Sequence, residues 1–338
     1  MLKYLIPFIV AILCRWPLVA EIDLEKDQQS FALHTKKITI KGHPDAFNPS
    51  IIQWQGRYLL SFRARDPLTN LTTLVGFTWL DDELNPVGEP HLVNTQGKKY
   101  TDFIQDPRLI VVDDRLYMPY SAQCLYEGKL ERRMCLAEVF YNGKYFSISQ
   151  PEPIFHFEGN GNKFEKNWVP FVYNGYLLLS YSIFPHKVFL PLLGEQKCLT
   201  VDYSEAECPW EWGEVRGGTQ AFLIDGYYLS FFHTSMVMKT VHSKGKAMPH
   251  YFMGAYIFEK KPPFYVKKIS PKPIVGKNFY NGPSHQTWKP LRVVFPGGYV
   301  FDEKYIWIAY GRQDHEIWII KLDKKGLLES LVPVKQIP

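Results

Sequence analysis

The chain is 338 residues long, 46% apolar, 22% charged and 16% aromatic, a balance that buries a large core and excludes a disordered or fibrous protein. Lys and Arg number 39 against 34 Asp and Glu, for a net charge of +5, too small an excess to suggest a nucleic-acid partner. Strand-like segments recur without a long amphipathic helix, which excludes coiled coils and helical bundles.

Residues 1–20 read as an export signal. A basic start at 1–3 leads into the uncharged run 4–14, and 17–20 precedes a cleavage position before Glu21. The run is short for a membrane span. Arg15 directly after it and Leu18 in place of a small residue leave a retained anchor and a buried strand as alternatives. The mature chain 21–338 is therefore expected to be exported as one domain. Four cysteines remain in it, Cys124, Cys135, Cys198 and Cys208. In an oxidising compartment Cys124–Cys135 and Cys198–Cys208 are the local pairings on offer, with four buried thiols as the alternative. No Cys-x-x-Cys or His-Glu-x-x-His spacing suggests a metal.

Five times a polar or turn residue leads into an apolar strand, a tight turn and a second strand rich in Tyr, Phe and Leu. These units start at Asn48, Asp106, Asn167, Gly218 and Gly297, and their second strands end on Phe62, Tyr120, Tyr181, Phe232 and Tyr310. The end points are 58, 61, 51 and 78 residues apart, room each time for a four-stranded sheet. The expected fold is all-β, a five-bladed β-propeller with an axial active-site funnel. Further strands are predicted at 73–79, 135–141, 253–259 and 317–322, and 37–40 is the candidate to close the ring.

In such a fold the start of each blade's first strand and the end of its second meet at one end of the axis. The starts bring Asn48, Asp106, Lys166 with Asn167, and Arg216. The ends bring Arg63 and Arg65, Ser182 and His186, His233, and Arg312 with Asp314. Singly, each is an ordinary turn or surface residue; together they make a site. Its chemistry is cationic. Two-carboxyl glycoside hydrolysis has only Asp106 and Asp314 to draw on, whereas Arg63, Arg65, Lys166, Arg216, His186 and His233 suit an oxyanion. Phosphate as the attacking nucleophile needs no protein base. Phe103, Trp168 and Trp288 are the rings available to sugar faces.

The Asn48-Pro-Ser start, Arg63-x-Arg65, Gln105-Asp-Pro-Arg108, Lys166-Asn167 and Tyr310-Gly-x-x-Asp314, in order over roughly residues 45–335, resemble glycoside hydrolase family 130 and the related glycosyltransferase family 108. Those are five-bladed propellers acting on β-mannosides, many by reversible phosphorolysis. The resemblance implies that Asp106 is the catalytic acid, protonating the departing oxygen through a hydroxyl of the bound mannose. It places Asn48, Arg63, Arg65, Asn167 and Asp314 on the sugar, and Lys166, His186, Arg216, His233 and Tyr251 on phosphate. The chain departs from the pattern where Lys166, His186 and Arg216 stand for the expected Arg, Arg and Lys, and where Gln105 replaces the Glu before the acid. It also lacks the acidic residues that hydrolases of the family put in this region. The expected activity is phosphorolysis of an oligosaccharide, with inorganic phosphate as co-substrate and neither cofactor nor metal. A hydrolase or mannosyltransferase is the alternative, and a non-catalytic glycan-binding propeller the remaining one. Asn70-Leu-Thr72 is a glycosylation sequon.

Overall fold

Turn chemistry sets the blades. In the first repeat Phe47–Trp54 pairs with Arg57–Arg65, and both residues between them, Gln55 and Gly56, have positive φ, 51° and 71°. That is the type I′ turn, whose twist matches the strands it joins. Left-handed pairs recur at Asp113-Asp114, Asn174-Gly175 and Asp225-Gly226, residue types that take this backbone at small cost. The fifth hairpin turns over Asp302, whose carboxylate accepts from the amides of Lys304 and Tyr305 at 2.7 Å each.

The computed structural model describes residues 22–66, 73–126, 128–156, 164–284 and 290–337. The leader, the sequon and Trp288 lie outside them. The strands form five antiparallel sheets arranged as a five-bladed propeller. The first blade is Phe47–Trp54, Arg57–Arg65, Thr73–Leu80 and Pro86–Leu92; the second has an inner edge broken into Asp102–Gln105 and Ile110–Val112, followed by Arg115–Tyr126 and Lys129–Tyr141. Val169–Tyr173, Tyr176–Ile183, His186–Leu192 and Lys197–Ala206 make the third. In the fourth, Arg216–Gly217 and Phe222–Ile224 precede Tyr227–Met238, Met248–Glu259 and Val266–Ile269. The fifth comprises Val294–Phe301, Tyr305–Arg312 and Glu316–Asp323, and Ala32–Ile38 pairs on its outer edge. Ring closure thus uses the expected N-terminal region, but the strand begins before residue 37. Past the short helix Lys324–Ser330, Val332–Pro333 and Gln336–Ile337 join the outer edges of the fourth and third blades.

The repeat residues are what the blades pack on. Phe62, Tyr120, Phe232 and Tyr310 are fully buried, and Tyr181 is half-buried. Phe62 lies opposite Gly76, and Phe232 opposite Gly254, each ring covering the bare Cα of its partner so closely that a Cβ there would overlap it.

The cysteines do not pair. Cys135 lies opposite Tyr120 and Cys124 opposite Glu131, so the register of the hairpin holds them apart along the strands. Buried Cys198 donates its thiol to the Phe155 carbonyl at 3.4 Å, while Cys208 is exposed, and all four are free thiols. Burial pushes the Cys198 thiol up to about 12, which keeps it protonated and unreactive.

Gly76→Ala or Gly254→Ala should cost about 1–3 kcal/mol of stability by overpacking. The measurement is a urea midpoint, which should fall without a change in m.

Candidate active site

Asn48 is the second residue of the first blade's inner strand, Asp106 lies in the break of the second blade's inner edge and Asn167 two residues before the third's inner strand, and each is in the left-handed region, with φ of 43°, 52° and 66°. That backbone turns their side chains toward one another at the axial end. Asp106 Oδ1 accepts from Asn48 Nδ2 at 3.0 Å and from Arg63 Nη1 at 2.9 Å. Gly311, at the end of the fifth blade's second strand, is bare because a Cβ there would meet the Asn48 amide oxygen.

Beneath them lies Arg108, 1% exposed. Its Nη1 donates to the Asp106 carbonyl at 3.1 Å, its Nη2 to Asn167 Oδ1 at 3.2 Å and the Gly217 carbonyl at 3.3 Å, and its Nε to the Gly218 carbonyl. One guanidinium therefore ties the second, third and fourth blades together. Gln220, from the fourth blade, donates to the carbonyls of Ile51 and Tyr299 at 3.0 and 3.1 Å, joining the first and fifth.

The charges are set by burial against partners. Burial alone pushes Asp106 up, but Arg63, Arg108, the Asn48 amide and Lys166 outweigh it and hold the carboxyl below its usual range. Asp314, at φ 56°, goes the other way. Burial, helped by the charge of Asp106, lifts it to about 6 against Arg63, Arg65 and Lys166. Arg108 is drawn down to about 10 by burial and remains a cation at neutral pH. His233 is pushed down to about 3 by burial, with Arg108, Lys166 and Arg216 adding to it, so it is neutral. Its Nδ1 lies 3.0 Å from the Gly217 carbonyl and must carry the hydrogen, leaving Nε2 as an acceptor. Tyr251 stacks on the His233 ring, nearly parallel at 6.1 Å, and feels Asp314, Arg216 and Asp106.

Beside this floor is a cavity of about 370 Å³ whose lining includes Lys166, Asn167, Ser182, Glu214, Arg216 and Gly217. Asn167 and Gly217 are also acceptors for Arg108, so the cavity shares a wall with the Asp106 site. Lys166 and Arg216 are exposed in it, and Arg216 is paired with Glu214 at 2.5 Å.

Asn48, Arg63, Asp106 and Asn167 are thus joined directly or through Arg108; Arg65, Lys166, His233, Tyr251 and Asp314 lie within electrostatic reach of Arg63 or Asp106, and Arg216 within that of His233 and Tyr251. His186 does not join them. Its Nδ1 donates to the Phe264 carbonyl at 2.7 Å, its Nε2 accepts from Ser180 Oγ at 3.0 Å, and its ring packs on Phe258 between the third and fourth blades. Burial pushes it down to about 4, so it is no cation for phosphate. Trp168 is likewise core, 1% exposed among His156, Tyr181 and Phe189. The expectation that the anion region lacks acids is corrected by Glu214 and by buried Glu165, which contacts His156 Nε2 at 2.8 Å. Glu214 was signalled by its place two residues before Arg216, on one face of an extended chain; the role of Arg108 had no comparable sign. Among the described residues no cluster of three His, Cys, Asp or Glu side chains forms a metal site.

A five-bladed propeller with one gripped carboxylate on its axial floor and cations around it belongs with the carbohydrate-active propellers. The family model described as beta-1,4-mannooligosaccharide phosphorylase matches residues 20–332, and the chain belongs to that family, glycoside hydrolase family 130. Among solved structures it is similar to a glycosyl hydrolase from Bacteroides ovatus, at 15% identity and a TM-score of 0.62, covering 94% of this chain and 96% of that one. It is similar also to the beta-1,2-mannobiose phosphorylase of Listeria innocua in complex with beta-1,2-mannobiose, at 17% identity and a TM-score of 0.57, covering 88% and 92%. A mannose phosphorylase of Leishmania mexicana in complex with phosphate ion matches at 12% identity and a TM-score of 0.59, covering 91% and 93%. At these identities the likeness is one of fold. No curated protein matches the chain.

His186 and His233 stay neutral in the folded chain down to about 4 and about 3, whereas unfolded histidines protonate near 6.5. Between those values the unfolded state binds more protons, so their contribution is complete above about pH 6.5 and lost as the pH falls. Going from pH 7 to pH 5 should cost about 2 kcal/mol per histidine, read as a falling urea midpoint. His186→Gln should flatten that slope; an unchanged slope would refute the buried neutral histidine.

Proposed function

We propose that the propeller makes and breaks β-mannosidic bonds by reversible phosphorolysis, with inorganic phosphate on one side of the reaction and mannose 1-phosphate on the other. The observation that carries this reading is the shared wall between the Asp106 site and the cavity holding Lys166 and Arg216. A phosphate oxygen bonds to the anomeric carbon while the glycosidic bond breaks, its electron pair leaving with the aglycone oxygen. That oxygen takes a proton from a mannose hydroxyl, which Asp106 replenishes. Asn48, Arg63, Arg65, Asn167 and Asp314 hold the sugar, and Lys166, Arg216, His233 and Tyr251 hold the phosphate.

The electrostatics around Asp106 supply an order of events. Arg63 and Lys166 help to keep Asp106 ionised, and an ionised carboxylate has no proton to give. Phosphate beside Lys166 offsets that pull, so the acid is loaded when the nucleophile arrives. Neutral His233 contributes through Nε2, which accepts a hydrogen bond from a protonated phosphate oxygen. Export with loss of residues 1–20 belongs to the same proposal.

Hydrolysis is the second reading, favoured by Glu214. Its carboxylate lies in the cavity assigned to phosphate, where a water in place of phosphate would have a base within the same wall.

Asp106→Asn should lower turnover by about two to four orders of magnitude with the fold intact by circular dichroism; full activity in the folded variant removes Asp106 from the mechanism. Lys166→Ala and Arg216→Ala should raise the KM for phosphate about ten- to hundredfold, with less effect on the mannoside. The assay reads mannose 1-phosphate against free mannose. Release of free mannose at a rate indifferent to phosphate transfers the conclusion to hydrolysis.

A further inference from the structure

Four guanidinium groups near the funnel are matched with carboxylates. Arg63 holds Asp106, Arg133 holds Glu131, Arg216 holds Glu214 and Arg312 holds Glu316. Arg292 spends its donors on neutral oxygens of His242 and Ser284. Arg132 differs: among the described residues its guanidinium makes one hydrogen bond, from Nη1 to the Phe103 carbonyl at 3.2 Å, and no ion pair.

Its position is not that of a solvated surface arginine. Arg132 lies opposite Gln123, three residues past Tyr120, as Tyr251 lies opposite Ser235, three past Phe232. It therefore holds in the second blade the place that Tyr251 holds at the funnel in the fourth. Its carbonyl accepts the Glu165 amide at 2.9 Å, which fixes the backbone. Arg132 is 6% exposed, like Asn48 at 6%, Arg63 at 7% and Asp106 at 8%, and its guanidinium feels the charges of both Arg63 and Asp106. Arg63 already holds the nearby Asp106 carboxylate, and with one neutral acceptor of its own Arg132 has guanidinium donors left to offer an anion.

Which anion follows from the side of the bond. The cavity assigned to the attacking phosphate is walled by the third and fourth blades, and Arg132 is not part of that wall. Arg132 stands instead with Asp106 and Arg63, where the departing sugar receives its proton. We propose that Arg132 binds an oxyanion carried by the sugar on the leaving-group side of the scissile bond, so that the acceptor glycan is acidic. This assignment rests on the β-mannoside reading of the funnel. The oxyanion is a carboxylate or a phosphate monoester, which bind a guanidinium in the same bidentate way.

The test is calorimetric titration of the full chain with glucose, glucuronate and glucose 6-phosphate, in inorganic phosphate sufficient to fill the Lys166–Arg216 cavity. Wild-type protein should bind at least one acidic sugar about tenfold or more tightly than glucose, and the better of the two identifies the anion. Arg132→Gln should bring the acidic-to-neutral ratio near one, and Arg132→Lys, which keeps the charge but not the fork, should retain part of it. A ratio near one in the wild type, an undiminished ratio in Arg132→Gln, or no binding of any of the three sugars overturns the proposal. If Arg132→Gln does not fold, a ratio in Arg132→Lys equal to wild type overturns it. These are binding measurements, so they separate from the turnover assay: phosphate-independent turnover with the acidic preference intact removes phosphorolysis alone, and the converse removes Arg132 alone.

Discussion

Arg108 donates to oxygens of Asp106, Asn167, Gly217 and Gly218 from a position sealed off from solvent, and the inner ends of three blades are arranged around it. A buried guanidinium is tolerable only when nearly every donor is met and a negative charge lies close. The carbonyls supply the first condition and the Asp106 carboxylate the second. Lysine, a point donor, has no equivalent of this fork. Asp106 is thereby tied to the packing of the ring: the charge that stabilises Arg108 is the charge the proposed reaction draws on.

The left-handed backbone of Asn48, Asp106 and Asn167 serves the same end. Single left-handed residues cost little when they are Asn or Asp, whose short polar side chains bond locally. A right-handed or extended start to these strands would aim the same groups along the blade instead of across the axis. Small local strain is thus gathered at the candidate site, a common location for it.

Much of this was legible in the sequence. The hairpins were, because Gly, Asn or Asp stands at each turn between apolar runs, as in Asn174-Gly175 and Asp225-Gly226, and so were the five repeats. The convergence of Asn48, Arg63 and Asp106 followed from strand direction alone. What stayed hidden depends on contacts between blades. His186 sits at the right end of its strand, but Phe258 and Phe264 from the next blade enclose it, and nothing near residue 186 announces them. Trp168 was read as a sugar platform and is core because Tyr181 and Phe189 of its own blade, with His156, cover it. The cysteine pairing failed on register, which separates Cys124 from Cys135 although their strands are neighbours.

The fifth blade is completed by Ala32–Ile38, which lies beside Glu316–Asp323 although nearly the whole chain separates them. During synthesis the earlier strand emerges long before its partner and presents an unsatisfied edge throughout. Four blades can pair locally as they appear, but the circle has no lock until the last blade is made. The funnel is therefore completed late, when Asp314 of that blade comes within reach of Asp106 of the second. A ribosome stalled at any point before Glu316 would hold a chain with most of its strands and no closed ring.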